Sequence, residues 1–180
     1  MASKTSQITD PSDVKVNKEK SKKQSTIVCI VTDHSASMIG FAQEALWDYR
    51  NMLEALKESA SLNKEDVYYI HGQFSLSPHT NFYFSPIKPI ADVTPIGDYS
   101  TKGGNTSLWD ATFNAIYRMK GEALTRKDED LSFLLIVITD GGNNMIYDCD
   151  GNKLKKEIDS VMGTDEWPIV TGQQIGRAHV

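Results

Sequence analysis

Two stretches of this chain are apolar at nearly every position, and each runs into an aspartate. Ser25-Thr-Ile-Val-Cys-Ile-Val-Thr32 leads to Asp33, and Leu131 to Thr139 leads to Asp140. A strand with one wet face alternates apolar and polar residues. A run without that alternation is covered on both faces, as in a parallel sheet packed between helices. The sequence between the runs supplies helices. From Gly40 to about Ala60, Leu46, Tyr49, Leu53 and Leu56 recur at spacings of three and four and draw one apolar stripe, which Asn63 and Lys64 end. Leu108 to about Gly121 is a second amphipathic helix, with Leu108, Ala111, Ala115 and Met119 or Ile116 inward, and Asn152 to Met162 is a shorter third.

Further strands are expected at Asp66–Ser75 and at Thr80–Phe84, separated by the turn residues Ser75-Leu-Ser-Pro78. The second of these alternates and returns antiparallel at the sheet edge. Pro86, Pro89 and Pro95 then interrupt regular structure, and Trp167–Thr171 is a last strand. This order predicts an α/β fold of the Rossmann-like, doubly wound kind: a mostly parallel sheet with one antiparallel edge strand and helices on both faces. Ligands of such sheets sit at the carboxyl ends of the strands.

At 180 residues the chain is one domain's worth, with 39% hydrophobic and 24% charged residues. The longest apolar run is interrupted at Ser132 and falls far short of the roughly 20 residues that span a bilayer. Two cysteines make no disulfide framework. A net charge of −5 argues against a nucleic-acid partner, whose binding surface would be basic. Residues 1–25 differ from the rest: six lysines against three acids give +3, which leaves −8 on the remainder. They hold few large apolar residues and are expected to form a disordered basic tail. With no apolar signal core, a cytoplasmic location is the default expectation. Ile175-Gly-Arg-Ala-His-Val180 resembles a translated sequencing adapter, so 175–180 is expected to be foreign and the domain over 26–174 to be incomplete at its C-terminal end.

The chemistry concentrates at three polar loops. Asp33-His-Ser-Ala-Ser37 follows the first strand, Lys102-Gly-Gly-Asn-Thr-Ser107 opens a helix, and Asp140-Gly-Gly-Asn-Asn144 follows the strongest strand. Asp33, Ser35 and Ser37 can converge as the chain curls into the helix, with Thr106 and Asp140 as further donors. All five are oxygen donors and two are carboxylates. That set suits a hard cation, Mg²⁺ or Mn²⁺, better than Zn²⁺, and leaves a coordination position open. Each piece alone is commonplace: Asp-x-Ser-x-Ser is a helix cap, Asp-Gly a turn, Gly-Gly-Asn-Thr a connector. Their conjunction at one end of the sheet singles them out.

The same segments carry a family resemblance. Ile27-Val-Cys-Ile-Val-Thr-Asp-His-Ser-Ala-Ser-Met38, Gly103-Gly-Asn-Thr-Ser-Leu-Trp-Asp-Ala111 and Leu135-Ile-Val-Ile-Thr-Asp-Gly141 resemble the von Willebrand factor A domain and its metal-ion-dependent adhesion site, with Phe74-Ser75 fitting the end of its second strand. The likeness covers roughly 26–172 and is greatest to small stand-alone intracellular members of bacteria and phages. It implies that Ser35, Ser37 and Thr106 are hydroxyl ligands of Mg²⁺. Asp33 and Asp140 would act directly or through water and orient the serines. It also implies that a partner protein supplies an Asp or Glu as the missing ligand, which makes the chain a binding module and not an enzyme. Two other functions stay open at this point: a Mg²⁺-dependent phosphotransferase or phosphatase using Asp33, and a structural module with a vestigial metal site. Ala36 stands where the family commonly has Gly and is tolerated if its φ stays negative.

The remaining candidates have plainer expectations. His34 is a solvated loop residue or lies on the rim of the site. Cys29 is core, and Cys149 is an exposed thiol in a polar turn. Asp148 and Asp150 lack the continuing acidic spacing of a calcium loop. Asp128-Glu-Asp130 is a solvated turn, and His71 and His79 lack partners at ligand spacing.

Overall fold

β1 (Lys23–Asp33) is the central strand, and its two neighbours determine everything around it. The structure, a computed structural model, describes residues 22–77, 80–162 and 173–174. After β1 a short 3-10 turn (Ala36–Gly40) leads into α1 (Ala42–Asn63). Then come β2 (Asp66–Ser77), β3 (Thr80–Phe84), the two-residue β4 (Lys88–Pro89), α2 (Leu108–Leu124), β5 (Glu129–Thr139), α3 (Gly151–Met162) and the two-residue β6 (Gln173–Gln174). The sheet runs β3-β2-β1-β5-β6, with β4 paired to β2. β1 is parallel to β2 and to β5, and β5 to β6; β3 and β4 lie antiparallel along the outer side of β2. This is the mostly parallel α/β sheet expected, with β3 as its antiparallel edge strand.

Because β2 and β5 lie on opposite sides of β1, the chain winds one way and then the other. Right-handed crossovers in opposite directions put their helices on opposite faces. On β1, Val28 and Ile30 pack with Leu46, Tyr49 and Leu53 of α1. Ile27, Cys29 and Val31 pack with Ala111, Ala115, Ile116 and Met119 of α2 and Val161 of α3. The period-two alternation of a strand thus divides one apolar run between two cores. From Ile27 to Val31 no side chain is exposed at all.

The differences from expectation are local. β1 starts at Lys23, inside the segment assigned to the tail, because Lys23 pairs with Glu129 in the ladder and its ammonium with Asp66 at 2.9 Å. α1 begins after a 3-10 turn, at Ala42 and not Gly40, and ends where Lys64 takes a left-handed φ of 54°. Lys88–Pro89 forms a brief edge pairing in the proline-rich stretch, and an edge is where proline is tolerated. The rest of the tail, His79, the strand expected at 167–171 and the segment 175–180 lie outside the described residues.

Leu53 is fully buried between α1 and the sheet. Leu53→Ala should cost about 2–5 kcal/mol in urea unfolding, the range for a large-to-small change in a packed core. Tyr117→Ser, on the 70% exposed outer side of α2, should stay within about 0.5 kcal/mol of the parent.

Candidate metal centre

The strand register assembles the site. Thr32 of β1 stands opposite Ile138 of β5, so Asp33 emerges beside Thr139; on the other side Asp33 stands opposite Phe74. The point where the winding reverses lies between β1 and β5, and the crevice beyond the carboxyl ends of two such strands is where ligands bind. Asp33 is fully buried there. Its Oδ1 accepts the Ser35 amide at 2.8 Å and its Oδ2 accepts the Thr139 hydroxyl at 2.7 Å. The Asp33 carbonyl accepts the Tyr99 hydroxyl. Burial pushes the Asp33 carboxyl above the usual carboxylate range and the charge of Asp140 pushes the same way, while the bonds from Ser35 and Thr139 oppose them.

Ser35 is buried and Ser37 exposed, with their hydroxyl oxygens 3.0 Å apart. Adjacent oxygens around an octahedral Mg²⁺ at 2.0–2.1 Å lie about 3 Å apart, so this spacing fits the donor set. Ala36, between them, is not among the positive-φ residues, which meets the condition set by the missing glycine. Thr106 is buried. Its amide donates to Asn144 Oδ1 at 2.7 Å, and its carbonyl accepts the amides of Asn144 and Met145. Asp140 is half-buried, with its Oδ1 3.3 Å from the Gly142 amide. The three loops therefore meet at one end of the sheet. Among the described residues no three His, Cys, Asp or Glu side chains cluster. A cation here would depend on the hydroxyls as much as on the two acids.

Several residues that build the site carry no signal in the sequence beyond loop composition. Ser75 has a left-handed φ of 58° and donates its hydroxyl to Asn105 O at 2.8 Å, which ties β2 to the Gly-rich loop. Gly103 passes so close to this turn that a Cβ would stand 1.4 Å from Ser75 O. Asn143 Oδ1 accepts the Trp109 amide at 3.0 Å at the start of α2, where Ser107 makes no side-chain cap. Asp110, fully buried in the first turn of α2, accepts the amides of Tyr147, Asp148 and Cys149 at 2.8–3.0 Å. Asp110 lies inside the segment Gly103–Ala111, where sequence alone assigns it no role of its own.

Four plainer expectations are corrected or refined. His34 is not solvated: it is 2% exposed, with ring Nδ1 2.6 Å from Ser100 O and Nε2 3.0 Å from Thr32 Oγ1. His71 is a hydrogen-bonded core residue: its Nε2 lies 3.1 Å from Thr32 Oγ1, and its ring contacts those of Tyr49 and Tyr69. Cys149 is fully buried, because the amides that bind Asp110 draw its turn against α2. Asp150 starts α3 by accepting the Lys153 amide at 2.8 Å, an N-cap role.

No family model matches the sequence, and no curated protein does. Among solved structures the chain is similar to a pilus adhesin, SpaC from Lactobacillus rhamnosus GG in its open conformation. The identity is 18% and the TM-score 0.48, over 69% of this chain and 15% of that one. It is also similar to proximal thread matrix protein 1 from the mussel byssus, at 17% identity and a TM-score of 0.42 over 86% of this chain and 38% of that one. The chain spans well under half the length of either, and neither likeness is close enough to transfer a role.

Two outcomes check this geometry. Thr139→Val leaves a buried carboxylate short of a donor and should cost about 1–3 kcal/mol in urea unfolding, with Thr139→Ser retaining most of the stability. Burial, with the nearby His34 adding to it, lowers the His71 pKa from 6.5 to about 4. Between those values the unfolded chain takes up the proton first, so stability falls as pH drops from 6.5 toward 4. The urea midpoint should follow that decline, and less steeply in His71→Gln.

Proposed function

We propose that the chain is a metal-dependent protein-binding module of the von Willebrand factor A kind. In this reading Ser35, Ser37 and Thr106 hold a Mg²⁺ ion, with Mn²⁺ as a substitute. Asp33 and Asp140 would ligate it or orient its waters. The observation that carries the reading is the Asp33–Ser35–Ser37 group: a buried carboxylate pinned at both oxygens beside two hydroxyls 3.0 Å apart. Such a shell would have few anionic donors and would leave a coordination position for another ligand. When bound, the cation would supply a position that accepts a carboxylate, so an Asp or Glu on a partner protein is the natural missing ligand.

Binding is favoured over catalysis by the state of the nearest base. His34 is the imidazole of the Asp33–Ser37 loop, and both its ring nitrogens are engaged inside the protein. That leaves it unsuited to activating a hydroxyl or a water. As for a membrane, no helix among the described residues is long and apolar enough to cross one.

Ser35→Ala should weaken Mg²⁺ binding at least about tenfold by calorimetry, the lower end for losing a group that shapes a metal site. Unchanged binding would remove Ser35 from the ligand set. A Mg²⁺-dependent pulldown with the full chain should lose its captured protein in Asp140→Ala and in chelator. Phosphatase turnover abolished by Asp33→Asn would replace the binding reading with an enzymatic one.

A further inference from the structure

We infer that His34 is a positioning residue of this site: it holds the loop carrying Ser35 and Ser37 at a set distance from the Gly-rich loop carrying Thr106. The inference rests on the cation-binding reading above and adds to it a buried side chain outside the proposed ligand set.

Four hydrogen bonds converge on His34. Its amide donates to Phe74 O at 3.0 Å, and its carbonyl accepts the Gly103 amide at 3.0 Å. Its Nδ1 lies 2.6 Å from Ser100 O and its Nε2 lies 3.0 Å from Thr32 Oγ1. The ring also stacks on Tyr99, with centroids 4.7 Å apart and planes 11° from parallel. The partners fix the protons. A carbonyl can only accept, so Nδ1 carries the hydrogen. Nε2 is then an acceptor, and the Thr32 hydroxyl is its donor, shared with Gly72 O. His71 Nε2, 3.1 Å from the same oxygen, must therefore donate. Gly72 O also faces that hydroxyl, at a longer 3.3 Å. The result is a directed chain from His71 on β2, through Thr32 on β1 and His34, to the carbonyl of Ser100.

That chain ends on the strap that leads to Thr106. Among the described residues, the hydrogen bonds that tie residues 99–103 to other segments run to Asp33 and His34: Tyr99 hydroxyl to Asp33 O, His34 Nδ1 to Ser100 O, and Gly103 amide to His34 O. The strap cannot slide under this anchor. A Cβ on Gly103 would stand 2.4 Å from His34 O, so the two backbones are already in contact. Three residues later the strap delivers the Thr106 hydroxyl. Neutral hydroxyls are weak ligands, so affinity depends on their being held in place before a cation arrives.

The test is a double-substitution cycle on the full chain, with Mn²⁺ as the probe and its binding followed by electron paramagnetic resonance. His34→Ala should weaken Mn²⁺ binding about 10–100-fold, the range for groups that orient metal ligands. His34→Asn, which keeps an N–H donor near Ser100 O, should recover most of that loss. If His34 acts through Thr106, then in a Thr106→Ala background His34→Ala should cost much less than it does alone. Fully multiplicative losses, or parent-like binding by His34→Ala, would overturn the inference while leaving the cation reading intact. Absence of Mn²⁺ binding by the parent chain would overturn both. Should His34→Ala fail to fold, as judged by circular dichroism, Tyr99→Phe removes the neighbouring strap contact with little change of volume, and the same cycle and outcomes apply to it.

Discussion

A carboxylate buried at the end of the central strand has to be solvated by the protein itself, and this end of the molecule is organised around that need. Leaving Asp33 unpartnered would cost several kcal/mol. The donors that prevent this come from separate places: the amide of Ser35 just beyond the strand and the hydroxyl of Thr139 on the neighbouring one. The first is local to the loop, whereas the second depends on the β1–β5 register, since a slip of one residue would turn the Thr139 side chain to the opposite face. Two runs of mostly core residues thereby determine the geometry of a polar site that only their last threonines touch.

Around that carboxylate the loops are fastened to one another, to β2 and to the start of α2. Ser75 holds Asn105, Asn144 holds Thr106, Asn143 holds the first turn of α2, and Asp110 gathers three amides of the loop before α3. A single such bond contributes about 0.5–1.5 kcal/mol, but bonds that share loops resist being broken one at a time. Loops cross-tied in this way can present hydroxyls as fixed ligands, which isolated turns of the same composition could not do.

The fold was legible because its signals are periodic. Nearly continuous apolar runs identified β1 and β5 as interior strands, and of the stripes 46–49–53–56 and 108–111–115–116–119 all but the half-buried Leu56 and Leu108 are buried faces of α1 and α2. The five candidate ligands were legible as a conjunction of loops at strand ends. The supporting residues were not. Thr139 looked like the last residue of a strand, Asn143 and Asn144 like turn formers, and Tyr99 like part of an irregular stretch. Their roles follow from which strands become neighbours, and no local pattern encodes that. The misreadings of His34 and Cys149 have the same origin: polar neighbours in sequence suggested solvent, whereas Tyr99, Thr32 and Ser100 enclose the first and α2 covers the second.

The bond between Thr139 and Asp33 joins residues 106 positions apart. Closing a loop of that length carries an entropic cost that must be met before the long-range contacts can offset it. The oxygen cluster therefore exists only on a chain whose first and fifth strands have already met. A ligand that needs the cluster would discriminate between finished and unfinished copies of the chain. Its binding would draw the population toward completion in proportion to its concentration.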